Sequence, residues 1–182
     1  MSNVVFDISV SLDGYVTAAG QTPDAPLGTG GERLHAWVDS PEGRRQLAKS
    51  ADLGAVICGR RTYDDAVPWW KSDGPTGELQ IPVVVVTHRP ADSHGVYHFA
   101  PDIPAALAQA RKLAGAKTVT VMGGASVGRQ FLAAGLVDEL SLHIVPIVLA
   151  GGSRLFETEI PLTPVEAITT PEAIHTRFKV GT

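Results

Sequence analysis

The stretch Lys117–Gly152, KTVTVMGGASVGRQFLAAGLVDELSLHIVPIVLAGG, decides how the rest of the chain is read. Thr118–Met122 is short, β-branched and flanked by polar residues, which predicts a strand. Gly123 and Gly124 follow, removing two side chains where the strand stops, so that unusual φ and a close backbone approach become possible. A helix is expected from Ala125 to Ala134, with Val127, Phe131 and Ala134 on one face and Gly135 as its stop. A glycine pair between a strand and a helix leaves backbone N–H groups at the positive end of the helix dipole, where an anion binds well. The same residues serve a tight turn with no ligand. Glycines at 123, 124 and 128 do not make the G-x-G-x-x-G of a Rossmann dinucleotide site.

Working outward, Ser141–Leu149 is a second apolar strand broken by Pro146, which predicts an edge or a bulge. Upstream, Asn3–Ser11 alternates, with Val4, Phe6, Ile8 and Val10 on one face. It enters Asp13-Gly14, a turn signal in which Asp13 is either a turn former or an acid at a cleft rim. Ala18–Gly31, rich in Gly and Pro, is expected to be a mobile loop. A two-piece helix follows, with Ser40-Pro41-Glu42 as N-cap, N1 and first-turn acid. In its second piece Leu47 and Ala48 are placed inward, and Arg44, Arg45 and Lys49 outward.

Ala55–Cys58 is a buried strand that ends in Gly59-Arg60-Arg61-Thr62. The arginines suit phosphate, or they are solvated surface charges. Trp69 and Trp70 either cover the core or stack on a ligand. Ile81–Val86 should be a central strand, closed by Thr87-His88-Arg89-Pro90. Asp102 and Pro104 start a helix that buries Leu107, Ala110 and Leu113. Two strands near Val165–Thr169 and Ile174–Val180 end the chain. Strands alternating with helices predict an α/β fold, a mixed and mostly parallel central sheet flanked by helices, with antiparallel C-terminal edge strands. Ligands of such sheets bind at strand carboxyl ends.

With 182 residues, 44% of them apolar and 19% charged, the chain fits a single globular domain over 1–182. A net charge of -4 gives no reason to expect nucleic acid or an anionic membrane as partner. No apolar run approaches the ~20 residues of a membrane span, and no leader-like segment opens the chain, so a cytoplasmic setting is expected. The lone Cys58 makes neither an internal disulfide nor a cysteine zinc site, and the spacing of His88, His94 and His98 fits no metal pair. No metal is expected.

Four motifs in order resemble the dihydrofolate reductase-like superfamily. The nearest likeness is the reductase domain of the riboflavin-biosynthesis deaminase-reductase and its stand-alone relatives. They are Ser11-Leu12-Asp13-Gly14-Tyr15, Gly59–Tyr63, Met122–Ser126, and the closing run Asp138-Glu139-Leu140 with Pro146–Leu149 and Gly151-Gly152 to Phe156. The resemblance implies NADPH as hydride donor, a small-molecule substrate and a homodimer formed through the C-terminal strands. By family position Gly123, Gly124, Ala125, Ser126 and Val127 would hold the pyrophosphate. Gly59, Arg60, Arg61 and Thr62 would follow the adenosine half, and Thr87, His88 and Arg89 would meet the adenine and 2′-phosphate. Ser9 and Val16 would bracket the nicotinamide.

On the substrate side the resemblance points to Asp13, Glu42 and His143 as catalytic candidates. Glu42 equally complements a helix dipole, and His143 equally suits a satisfied core position. Asp64-Asp65-Ala66 departs slightly from the family's Asp-Asp-Pro. The family's zinc deaminase half needs Pro-Cys-x-x-Cys, so deamination is not expected of this chain. The expected activity is reduction of a pyrimidine or pterin-like compound, most like 5-amino-6-(5-phosphoribosylamino)uracil reductase. Dihydrofolate reduction, NADPH binding without turnover and an ordinary Rossmann dehydrogenase are the alternatives.

Overall fold

In the computed structural model, which describes residues 2–48, 52–89 and 91–181, the chain opens on β1 (Val4–Ser11). Lys49 and Pro90 lie outside the described residues. Val4, Phe6, Ile8 and Val10 are buried, as the alternation predicts, but Ser9 and Ser11 on the other face are buried too. Contacts divide the chain into two compact units, Met1–Phe6 with Asp52–Leu136 and Asp7–Ala51 with Val137–Thr182.

The first unit is a parallel sheet with helices. Its strands are β3 (Leu53–Gly59), β4 (Val83–Val86), β5 (Tyr97–Ala100) and β6 (Thr118–Val121), in the order β5-β4-β3-β6-β1. Every pairing is parallel. Val83, Val84 and Val85 are wholly buried, as expected of a β-branched run with a strand on either side. β5 was not expected. Its four residues carry His98, and among the described residues 87–96 no helix announces a crossover.

Helix α2 (Arg60–Trp70) follows β3, α3 (Ile103–Ala114) follows β5 and α4 (Ala125–Ala133) follows β6. Asp102 caps α3 by accepting the Ala105 N–H at 2.8 Å. Ala106, Leu107, Ala110 and Ala114 form its buried face, while Leu113, expected inside, is 37% exposed. α4 ends as predicted: Gly135 has φ +65°, its N–H reaches the Leu132 carbonyl, and the Leu136 N–H reaches that of Phe131. Ala134, by contrast, is exposed. Gly128 within α4 is forced by packing, since a Cβ there would lie 2.0 Å from the Phe6 ring. Of the adjacent tryptophans, Trp70 covers the core and Trp69 is exposed.

The second unit carries β1 from Asp7 onward, β7 (Glu139–Val145), β9 (Leu162–Thr169) and β10 (Ile174–Val180), in the order β1-β7-β10-β9. β10 is antiparallel to both its neighbours. Pro146 neither marks an edge nor bulges a strand, because β7 stops one residue before it. β7 lies inside the sheet. A small pair, β2 (Tyr15–Thr17) with β8 (Ser153–Arg154), stands apart from that sheet.

The two-piece helix is a 3₁₀ segment, Gly31–Asp39, followed by α1 (Pro41–Ala48). Ser40 caps α1 as predicted, its Oγ accepting the Gly43 N–H at 2.9 Å. Leu47 and Ala48 are exposed rather than inward. The buried residue of α1 is Gly43, where a Cβ would lie 1.7 Å from the Trp37 carbonyl oxygen, so contact is made through backbone. Loop Ala18–Gly31 is fastened to itself by the Ala18 N–H to the Leu27 carbonyl and the Thr29 N–H to the Ala19 carbonyl.

Candidate functional site

In the first unit β4, β3 and β6 are parallel neighbours, so their carboxyl ends fall along one edge. That brings together the three strand ends singled out by sequence. Gly123, after β6, has φ +96°, and a Cβ on it would lie 2.5 Å from the Thr62 methyl group. The Gly124 N–H donates to Thr62 Oγ1 at 3.1 Å. A Cβ on Gly59 would meet Val127 at 2.9 Å. Glycine therefore lets two strand-to-helix turns close on each other, and the starts of α2 and α4 form one cradle. First-turn N–H groups lack intrahelical partners, which gives the cradle a positive potential. Ala125 and Val127 are buried and offer backbone only, whereas Ser126 is exposed.

Charge enters from the first turn of α2 and from the segment after β4. Arg60 donates to Asp64 Oδ1 at 2.8 Å, and Arg89 approaches Asp64 Oδ2 at 3.6 Å. One carboxylate thus holds two guanidinium groups and leaves a net positive charge. Arg61 pairs with Asp65 at 3.6 Å and is largely exposed. Thr87 is buried and its Oγ1 accepts the Arg89 N–H at 3.1 Å, while His88 is exposed.

The remaining candidates belong to the second unit. Asp13 is a latch. Its carboxylate accepts from Ser11 Oγ at 2.6 Å and from the N–H groups of Leu149 and Ala150 at 3.1 and 2.8 Å. The Ser11 bond, with these backbone donors, lowers its carboxyl pKa to about 2. Ser9 Oγ accepts the Trp37 indole N–H at 2.9 Å, and Val16 is buried in β2. Glu42 is a part-exposed first-turn acid paired with Arg45, not a carboxylate set in a buried pocket.

His143 is buried, with Nε2 at 3.2 Å from Asp7 Oδ2 and Nδ1 at 2.7 Å from His175 Nδ1. Burial acts to raise the Asp7 carboxyl, but the hydrogen bond and charge of His143, with Ser141 and Arg177, outweigh it and hold the group below its ordinary range. Sequence reading missed Asp7 and His175. The only signal was their alternation on β1 and β10, which gives a face but not a partner. Burial pushes the Cys58 thiol up to about 12, which leaves no thiolate for chemistry. Among the described residues no three His, Cys, Asp or Glu side chains are placed to hold a metal ion, and no helix is long and apolar enough to cross a membrane.

The model of the family described as the RibD C-terminal domain matches residues 2–176. No curated protein matches the sequence. Among solved structures, a protein assigned by name to riboflavin biosynthesis in Shewanella sp. PV-4 is similar at 23% identity and TM-score 0.72, with each chain covered in full. A pyrimidine reductase-like protein of Corynebacterium diphtheriae is similar at 16% identity and TM-score 0.66, over 100% of this chain and 92% of that one. The Thermotoga maritima diaminohydroxyphosphoribosylaminopyrimidine deaminase/5-amino-6-(5-phosphoribosylamino)uracil reductase is similar at 14% identity and TM-score 0.67, over 99% of this chain but 57% of that one. At such identities the likeness speaks for the fold, and that fold is the α/β one expected from sequence, a mostly parallel sheet flanked by helices with antiparallel C-terminal edge strands.

Proposed function

We propose, from the premise that this chain belongs to the RibD C-terminal domain family, that it is an NADPH-dependent reductase of a pyrimidine-type substrate. The observation that carries the reading is the cradle: two helix starts tied by Thr62 and Gly124, with Arg60 and Arg89 converging on Asp64. A coenzyme pyrophosphate fits this chemistry, since glycine at 123 and 124 leaves backbone where side chains would stand. Arg60 and Arg89 would take the 2′-phosphate, which would compete with Asp64 for the two guanidinium groups. His88 and Arg61, both exposed, would flank the adenosine portion. The bound coenzyme supplies hydride. The chain's own residues bind it, orient it and exclude water.

The substrate class follows the family and the name of the Thermotoga relative, so a ribosylaminopyrimidine is the first compound to test and dihydrofolate the second. We also place a homodimer contact on β9, the outer strand of its sheet, where Val165 is 52% exposed. Calorimetry with NADPH and NADH, followed by absorbance at the NADPH band with each substrate, tests the enzyme. Arg89→Ala should weaken NADPH about tenfold or more and leave NADH unchanged. Equal loss for both coenzymes, or no heat with either, would sink the reading. Sedimentation at micromolar protein tests the dimer.

A further inference from the structure

Asp64 stands one helical turn after Arg60 on α2, and Arg60 Nε donates to its Oδ1 at 2.8 Å. The Arg60 guanidinium also lies over the Tyr63 ring, 5.5 Å from its centroid, so its own helix holds it on two sides. Arg89 is held differently. It comes from the segment after β4, its side chain is 71% exposed, and its Nη2 reaches Asp64 Oδ2 only at 3.6 Å, beyond hydrogen-bond length. Arg60, Tyr63, Asp64 and Arg89 all belong to the first unit.

Among the described residues, Asp64 Oδ2 therefore accepts no hydrogen bond, although a carboxylate oxygen has lone pairs to spare. The arginines are unsatisfied in the complementary sense. Arg60 spends Nε on Asp64 and keeps its Nη groups, and the Arg89 guanidinium makes no hydrogen bond among the described residues. The next ion pair along the helix, Arg61 with Asp65, closes on itself at 3.6 Å. An exposed contact such as that of Arg89 with Asp64 is worth little, so exchanging either partner for another group costs little.

The two pyridine nucleotides present opposite chemistry at the adenosine 2′ position. A 2′-phosphate is an anionic acceptor and takes guanidinium groups, whereas a free 2′-hydroxyl is a donor and takes a carboxylate. This cluster holds both kinds of partner, each tied loosely to the other.

We propose that Asp64 and Arg89 form an exchangeable pair that lets this chain take NADH as well as NADPH, with Asp64 setting the preference between them. The assignment rests on the reductase reading above. With NADPH, the 2′-phosphate draws Arg89 off Asp64 and shares Arg60 with it. With NADH, the 2′-hydroxyl donates to Asp64 Oδ2, the oxygen that carries no hydrogen bond. The negative charge that serves the hydroxyl also stands close to the phosphate and repels it, so one carboxylate strengthens one coenzyme and weakens the other.

Calorimetry with NADP⁺, NAD⁺ and 2′-deoxy-NAD⁺ tests this without turnover. The three differ only at the 2′ carbon, so effects on the pyrophosphate and nicotinamide cancel in their ratios. Wild type should bind NAD⁺ about tenfold more tightly than 2′-deoxy-NAD⁺, the loss expected for one hydrogen bond to a charged acceptor. In Asp64→Asn that ratio should fall to about threefold or less, because a neutral acceptor bonds about half as strongly. The preference of Asp64→Asn for NADP⁺ over NAD⁺ should rise about tenfold or more above that of wild type. Wild type that binds NADP⁺ but not NAD⁺, that binds NAD⁺ and 2′-deoxy-NAD⁺ equally, or whose ratios survive Asp64→Asn unchanged would overturn the assignment and leave the reductase reading standing. Heat from none of the three would overturn both.

Discussion

The cradle of the first unit and the histidine face of the second are built of opposite materials. The cradle works by leaving atoms out: Gly59, Gly123 and Gly124 let Thr62 and Val127 close in, and what remains is backbone polarity. The histidine face works by placing side chains, five of them from four elements, Asp7, Ser9, Trp37, His143 and His175, joined through ring and oxygen atoms. One added carbon should therefore break the first, and a lost donor should break the second.

The largest effect is expected where α4, the cradle's helix, meets β1. Gly128→Val drives a side chain into the buried Phe6 ring and should cost about 3 kcal/mol or more in denaturant unfolding. A cost below 1 kcal/mol would mean that α4 can withdraw without harm. Next, Gly123→Ala combines a positive φ with a clash against Thr62. About 2 kcal/mol of stability should go, together with coenzyme binding by calorimetry. Unchanged binding would show that the turn is structural only.

On the other side of the comparison, Trp37→Phe keeps the ring but strands the buried Ser9 hydroxyl without its donor. It should cost about 1 kcal/mol in denaturant unfolding. Asp13 tests a carboxylate that belongs to neither region's chemistry. Its folded pKa of about 2 lies below the ordinary ~3.9, so its stabilising bonds are fully present above about pH 4 and are lost as pH falls toward 2. Asp13→Asn should therefore lower stability at neutral pH and converge with wild type in acid, as read by thermal melts across that range. Smallest of all, Glu42→Gln should change stability by less than about 0.5 kcal/mol and leave turnover alone, since its exposed pair with Arg45 is worth little. A large loss of turnover would restore Glu42 as a catalytic acid.

Turn and cap chemistry was legible because it is local. Asp102 before Pro104, Ser40 before Pro41 and Gly135 after α4 each do what their side chain or its absence requires within four residues. The valine run of β4 was legible for a similar reason, since only a strand flanked on both sides uses it. Helix faces were read less well. Leu47 and Leu113 have the bulk of core residues, yet Gly43 and Ala114 make the contacts, because close approach of backbone rather than side-chain size set those packings. Pro146, which within an apolar run signals an edge or a bulge, stands just past the end of β7.

By itself, the sequence determined the alternating elements, the glycine turns that end β3 and β6, and the basic residues beside them, because each depends on φ, on a donor or on a period of a few residues. Only the tertiary structure decided that Arg60 and Arg89 share Asp64, and that His143 faces His175 with Asp7 behind it. Those meetings depend on strand order and register. A one-residue slip of β10 would put His175 on the opposite face of the sheet, and no local propensity would record the change.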